Sequence, residues 1–376
     1  MKGRALNRAK VDTGQGLAHG VTLGDVVWSR DNNLNLIRFL AASAVLFTHS
    51  YALSLGQRDA EPLRLLLGMT PATIAVDVFF LISGFLVTAS LQRKPQVRSF
   101  LAARALRILP GLLVMLLLTV FVAGPLLSTL GAAGYLAEPQ VYRYFLKCAS
   151  LVFGVEYLLP GVFTANPHGA AVNGSLWTLP HEVRCYLTLA VLWLLLHHLG
   201  PRGGRWVAWA ATGLAAVGLL AVAQALHQGE RLPTVPLMYT MFAMGSAAYF
   251  HRERLVLHGG LGAAALLLLV LLAGRVPLAA YWLVYVLLLP YGVFCLAYLP
   301  GGWLRGYNRL GDYSYGIYIY AFPVQQFVVA RAEGIGPWGV TALAFPVVLL
   351  AAVLSWHGVE SRALALRRWA GSSGGR

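Results

Sequence analysis

The chain alternates between long apolar runs and short polar or basic connections. The runs cover 34–53, 70–91, 108–130, 183–199, 206–226, 236–250, 260–273, 278–299, 313–330 and 340–357. A helix rises about 1.5 Å per residue, so a run of about 20 residues crosses a hydrocarbon core of about 30 Å. The pattern predicts an all-α polytopic membrane helix bundle of about ten transmembrane helices, with both termini on the same side. Pro110 falls near the start of the third run, where proline is tolerated. The longest connection, 131–180, is too long for a passive turn and reads as functional, its middle at 142–153 forming a short interfacial helix.

Composition agrees with this reading. Of 376 residues, 58% are hydrophobic and 11% charged, and the mean hydropathy is +0.66, which excludes an ordinary soluble domain. The net charge of +15 does not indicate nucleic acid, because no basic globular domain fits between the spans. Basic residues concentrate instead in the first 30 residues, in 92–107 and in alternate later connections, as the positive-inside rule demands of a chain with a cytoplasmic amino terminus. The expected organisation is a flexible basic cytoplasmic tail at 1–30, a transmembrane domain at 31–365 and a flexible tail at 366–376. The expected location is the cell's inner or plasma membrane, in contact with its lipids. Cys148, Cys185 and Cys295 lack the paired spacing of a disulfide framework or thiolate metal site. No cleavable signal precedes the first span, and no metal is expected.

The first span carries the candidate chemistry. Arg38 and His49 are eleven positions apart, which at about 100° per residue returns to nearly the same face three turns on. An ionisable group within a span costs about 2.5 to 3.5 kcal/mol, so such residues mark function. Asp77, early in the second span, and Glu182, at the start of the fourth, are expected beside His49 toward the outer leaflet. Either could orient the imidazole as a general base, and either could instead cap its helix. After the second span come Arg98, Arg104 and Arg107, whose planar forks suit phosphate but also serve as a topology signal for anionic lipids. Trp177, Tyr315 and Tyr318 are the candidate substrate-binding residues. Glu360 reads as part of a charged inner collar. The Arg/His pair alone also admits a proton-coupled transporter or lipid-linked glycan translocator, though paired half-helix breaks are not evident.

Six motifs together resemble a known family. They are Arg38 with His49, Val76-Asp77-Val78-Phe79-Phe80 with Ser83-Gly84-Phe85, Arg104-x-x-Arg107-x-x-Pro110, Trp177-x-Leu179-x-x-Glu182, Ser314-Tyr315-Gly316-Ile317-Tyr318, and Ser355-Trp356-His357-Gly358-Val359-Glu360. Their order over about residues 31–365 resembles the acyltransferase-3 family of membrane acyltransferases. That resemblance implies transfer of an acyl group, often acetyl, from a cytoplasmic acyl-CoA such as acetyl-CoA to a hydroxyl of a carbohydrate, for example a polysaccharide, or a similar acceptor. It implies His49 as the acid/base residue, Arg38 as its partner, and Arg104 and Arg107 on the donor side. Many members carry a histidine shortly after the late Tyr-Leu, where this chain reads Ile319-Tyr320-Ala321-Phe322-Pro323. A role assigned to that histidine does not carry over. The esterase-like domain fused to some relatives is also lacking, so the acyl group is expected to pass directly to the acceptor or to a separate protein.

Overall fold

A computed structural model describes residues 20–57, 60–197, 203–229 and 233–370. Most of the basic amino-terminal tail and the Gly/Ser end at 371–376 lie outside the described residues. Ten long helices occur where the hydrophobic runs place them. We label them α1 (Leu34–Leu55), α2 (Pro71–Arg93), α3 (Val97–Leu117), α4 (Leu179–His197), α5 (Gly203–His227), α6 (Thr234–Phe250), α7 (Gly259–Leu272), α8 (Leu278–Tyr298), α9 (Ser314–Arg331) and α10 (Pro337–Ser355). The all-α membrane bundle expected from the sequence is the observed architecture.

Seven of these helices are long and apolar enough to cross a bilayer; α6, α7 and α9 are shorter or more polar. The polarity of α9 has a physical reason. Gln325 and Gln326 are fully buried on it; Gln326 is hydrogen-bonded through both amide atoms and Gln325 through Nε2, which offsets much of the cost of taking an amide out of water.

At the centre lies α2, the most buried of the seven candidate spans. It crosses α6 at backbone contact. A Cβ on Gly84 would lie 2.0 Å from the Phe242 carbonyl oxygen, and one on Gly245 would lie 2.1 Å from that of Leu81. Only glycine permits this approach, the usual device where apolar side chains gain nothing over lipid. Ser246 Oγ crosses the same contact, donating to Phe242 O and sharing Gly84 O.

Two helices depart from ideal geometry. α3 runs on through a π-helical segment, Leu118–Ala123, to Leu127. Pro125 cannot donate to Val120 O one π-turn back, and the Tyr135 hydroxyl donates there instead at 2.8 Å. α10 ends in the π-turn Trp356–Glu360. Its extra residue swings Glu360 toward the bundle, leaving it 1% exposed, so the expected inner collar is an interior carboxylate.

Two sequence boundaries shift. Part of the segment expected as a flexible tail is structured: Val21–Thr22 pairs antiparallel with Val256–Leu257, and a Thr22/Asp25 capping box follows. α3 begins at Val97, so Arg98, Arg104 and Arg107 belong to a helix rather than to a loop. The expected interfacial helix is present as Pro139–Ser150.

Beyond it the connection turns inward. Gln326 Nε2 donates to the carbonyls of Gly169 and Ala171, Asn173 Nδ2 donates to Ile319 O, and the Tyr318 hydroxyl donates to Ser175 O. The chain thus descends along α9 past about eight residues, or about 12 Å, before the 3-10 turn Gly174–Thr178 starts α4 deep in the bundle.

Candidate active site

That descent decides where Glu182 lies. The fourth helix begins inside the bundle, and Glu182, in its first turn, accepts a hydrogen bond from Ser83 Oγ at 3.3 Å and another from the Tyr186 hydroxyl. Ser83 is midway along α2, not at its outer start. The expected gathering of Glu182, Asp77 and His49 in the outer leaflet is therefore corrected. Asp77 accepts from the Tyr285 hydroxyl at 2.7 Å and is fully buried. Both carboxylates bond tyrosine hydroxyls, and neither orients the His49 ring.

What does converge is a set built around the arginines. A cavity of about 100 Å³ is walled by Arg38 of α1, Phe79 and Ser83 of α2, Arg104 and Arg107 of α3, Glu182 and Tyr186 of α4, and Tyr315 and Tyr318 of α9. Arg104 and Arg107, three residues apart, share a helical face and both reach this wall. Arg98 is off that face and exposed. Trp177 is half-buried and packs edge-on against His181 at 5.8 Å, with its neighbours Thr178 and Leu179 on the wall in its place.

One residue unremarked in the sequence anchors the cluster. Asp312 Oδ2 accepts from Arg38 at 2.7 Å and from Arg107 at 2.5 Å, while Oδ1 accepts from Ser314 Oγ. Glu360 adds a longer contact, 3.8 Å, to the other nitrogen of Arg107 and accepts from Ser355 Oγ at 2.8 Å. Asp312 precedes α9. Burial pushes its carboxyl up, but Arg107, Arg38 and Ser314 outweigh that and hold it at about 2. The network aims two guanidiniums at the cavity and balances their charge, as buried ions require. A sequence signal for it existed: an arginine within a span needs a partner at its own depth, and Asp312 opens a span from the same side.

His49 lies outside this cavity. Fifteen residues into α1, it packs edge-on against Phe322 of α9 at 5.2 Å, with Nδ1 buried and making no hydrogen bond. The ring therefore faces the bundle, not lipid. Phe79 and Tyr318, whose rings are 6.1 Å apart, line the cavity, and Tyr318 is one helical turn from Phe322 on α9. The Tyr318 hydroxyl is fixed by Thr178 Oγ1 at 2.6 Å and Ser175 O at 2.8 Å. Among the described residues no group of three or more His, Cys, Asp or Glu side chains is placed to hold a metal.

An acyltransferase domain model matches residues 31–357. The chain belongs to the acyltransferase-3 family. Its similarity extends to whole proteins. An O-acetyl transferase of Shigella phage Sf6 is 31% identical over 342 residues, covering 89% of this chain and 96% of that protein. Nodulation protein 10 of Rhizobium leguminosarum bv. viciae is 31% identical over 361 residues, covering 89% and 94%. An acyltransferase of Streptomyces mycarofaciens is 30% identical over 217 residues, covering 56% and 51%. No solved structure matches. This acyltransferase-3 member is thus a multi-pass membrane O-acyltransferase, serving an acyl donor and a hydroxyl acceptor.

Proposed function

We propose that the protein transfers an acetyl group from cytoplasmic acetyl-CoA to a sugar hydroxyl, with His49 as general base. The observation that carries this reading is the arrangement on α1. Arg38 faces a cavity shared with Arg104 and Arg107, and three turns along the same face an interior imidazole has a nitrogen without a partner.

The donor would enter from the arginine side. Guanidiniums recognise phosphate by paired N–H donors, and Arg104 and Arg107 stand at the start of α3, where the nucleotide phosphates would rest. The cavity, of about 100 Å³, lies between these arginines and the Tyr315 and Tyr318 rings. The pantetheine arm passes Arg38 and reaches His49 once the Phe79–Tyr318 pair yields.

At His49 the imidazole takes the acceptor's O–H proton as that oxygen attacks the thioester carbonyl. The C–O bond forms, the C–S bond breaks, and the imidazolium returns the proton to the departing thiolate. Such proton transfer is worth about 10² to 10⁴ in rate. Glu182, bonded to Ser83 and Tyr186, sits by the thioester path and orders its polar wall. The relative named O-acetyl transferase supports acetyl as the group moved.

Purified protein supplied with an acyl-CoA series and a glycan acceptor tests the reading. Thiol release should be fastest with acetyl-CoA and fall as the chain lengthens. Preference for long chains would overturn it.

A further inference from the structure

Along most of its length α2 is closed on every side but one. From Ala75 to Leu91 its residues are buried except Phe79, Ser83, Leu86 and Ser90. Steps of four, three and four residues keep these on a single face. Phe79, Ser83 and Leu86 line the arginine cavity, so the open face is the cavity wall, and the next place on the same stripe is Arg93. Seven residues separate Arg93 from Leu86, which is two turns or about 10 Å toward the carboxyl end of the helix. The stripe thus leads from the cavity to an exposed guanidinium.

That guanidinium has an aromatic neighbour. It lies 5.8 Å over the Trp28 ring, and Trp28 is 52% exposed. Tryptophans at a membrane surface often serve only as interface anchors. This one is held from below by a stack that reaches the core. Tyr249 of α6 meets it edge-on at 6.3 Å, is itself buried, and packs on Phe85 of α2 at 5.9 Å, while Arg252 covers Tyr249 at 4.4 Å and pairs with Glu253. The backbone before Trp28 is pinned by the Val21–Thr22 pairing, by the capping box, and by Val27 N donating to Leu23 O at 3.0 Å. A fixed indole with open surface therefore stands beside an arginine. Contact with a ring engages the charge of a guanidinium and leaves its N–H donors for an anion.

We propose that Trp28 and Arg93 form the nucleotide end of the donor site: the purine base of an acyl-CoA stacks on the open indole, and Arg93 takes a phosphate of the same nucleotide. This deepens the reading of acyl-CoA as the donor and rests on it. Only Lys94-Pro95-Gln96 joins α2 to α3, so Arg93 and Val97 stand at one level and Arg104 lies about 10 Å along α3 from them. A nucleotide laid along the stripe has its base at Trp28 and its pyrophosphate toward Arg104. The arm then continues past Leu86 into the cavity. A phospholipid headgroup would offer Arg93 the same anion but has no base for Trp28.

The test compares two donors, acetyl-CoA and S-acetylpantetheine, which lacks the nucleotide, using full-length protein in detergent with thiol release as the signal. Trp28→Ala should raise the acetyl-CoA KM about tenfold, the worth of one stacked base, and shift the S-acetylpantetheine KM much less. Trp28→Phe keeps a ring and should recover most of the loss. Arg93→Ala should likewise weaken the use of acetyl-CoA and spare S-acetylpantetheine. Adenosine 3′,5′-bisphosphate, the nucleotide end without the arm, should raise the melting temperature of wild type and raise that of Trp28→Ala less. An acetyl-CoA KM equal in wild type and Trp28→Ala overturns the proposal, as does a parallel rise for both donors. So does an Arg93 effect that appears only when anionic phospholipid is added, which would make the patch a headgroup site. The bisphosphate separates the two claims. If it stabilises wild type through Trp28 while acetyl-CoA yields no thiol, acetyl transfer fails and the platform stands; if thiol release is normal and the bisphosphate acts alike on wild type and Trp28→Ala, the platform alone fails.

Discussion

Arg38 and His49 stand three turns apart on one face of α1, in different surroundings. Arg38 reaches a polar cavity and the Asp312 carboxylate at 2.7 Å, whereas His49 lies against Phe322. Tyr318 lines the cavity one turn from Phe322, with the Phe79 ring beside it. On the proposed route the donor arm reaches His49 by displacing these aromatic rings.

Tyr318 is then a gate and a size filter. Tyr318→Ala should open the cavity toward His49 and raise the relative use of butyryl-CoA over acetyl-CoA by about tenfold, the usual worth of a methylene or two of space. Tyr318→Phe keeps the ring but leaves Thr178 and Ser175 O short of a partner, so it should lower stability by about 1–3 kcal/mol with chain preference unchanged. A chain-length series on both variants decides.

Asp312→Asn should be costly, because Arg38 and Arg107 would lose their shared counter-charge in a buried setting. Breaking such a pair typically costs about 3–5 kcal/mol. Fluorescence-detected thermal unfolding in detergent should show a clear fall in midpoint. The pH dependence follows from the depressed carboxyl. Its stabilisation is complete above the unfolded value of about 3.9 and is lost as pH falls through about 2, so this group should add no slope between pH 5 and 8. A slope there that vanishes in Asp312→Asn would contradict the assignment.

Arg104 and Arg107 should behave differently although they share a face. Arg107 is engaged by Asp312 and Glu360, so Arg107→Ala should lower stability as well as donor use. Arg104 lies over the Tyr186 ring at 6.0 Å, and Arg104→Ala should chiefly raise the acetyl-CoA KM, by about tenfold to a hundredfold. Donor titrations alongside melting curves separate the two effects.

Gly84→Ala and Gly245→Ala should each force α2 and α6 apart, since the added methyl has only backbone to meet. Overpacking of this kind costs about 1–3 kcal/mol and often more. Yield of folded protein after detergent extraction reports it, and wild-type yield for both would mean that the crossing is looser than described.

The hydrophobic runs made the ten helices legible, because membrane burial of backbone leaves little choice but helix. The convergence of Arg38, Arg104, Arg107, Glu182, Tyr315 and Tyr318 on one cavity is built from residues the sequence already singled out. Depth was the part that hydropathy could not reveal. Glu182 sits at the amino end of its apolar run and so reads as lying near an interface, yet Asn173 and Gln326 draw the preceding segment inward by hydrogen bonds no hydropathy plot contains. Glu360 was misplaced for a related reason: one extra residue in a π-turn rotates a side chain from rim to interior. Asp312 carried only the general signal that an arginine within a span needs a partner at its own depth; its bonds to Arg38 and Arg107, far away in the chain, are not written in any spacing.

The most direct measurement is acetyl-CoA thiol release coupled to sugar acetylation by purified protein carrying His49→Ala, compared with wild type at equal folded concentration. General-base chemistry at this position predicts a fall of about 10² to 10⁴ in turnover with little change in acetyl-CoA KM. Turnover equal to wild type in that variant would contradict it.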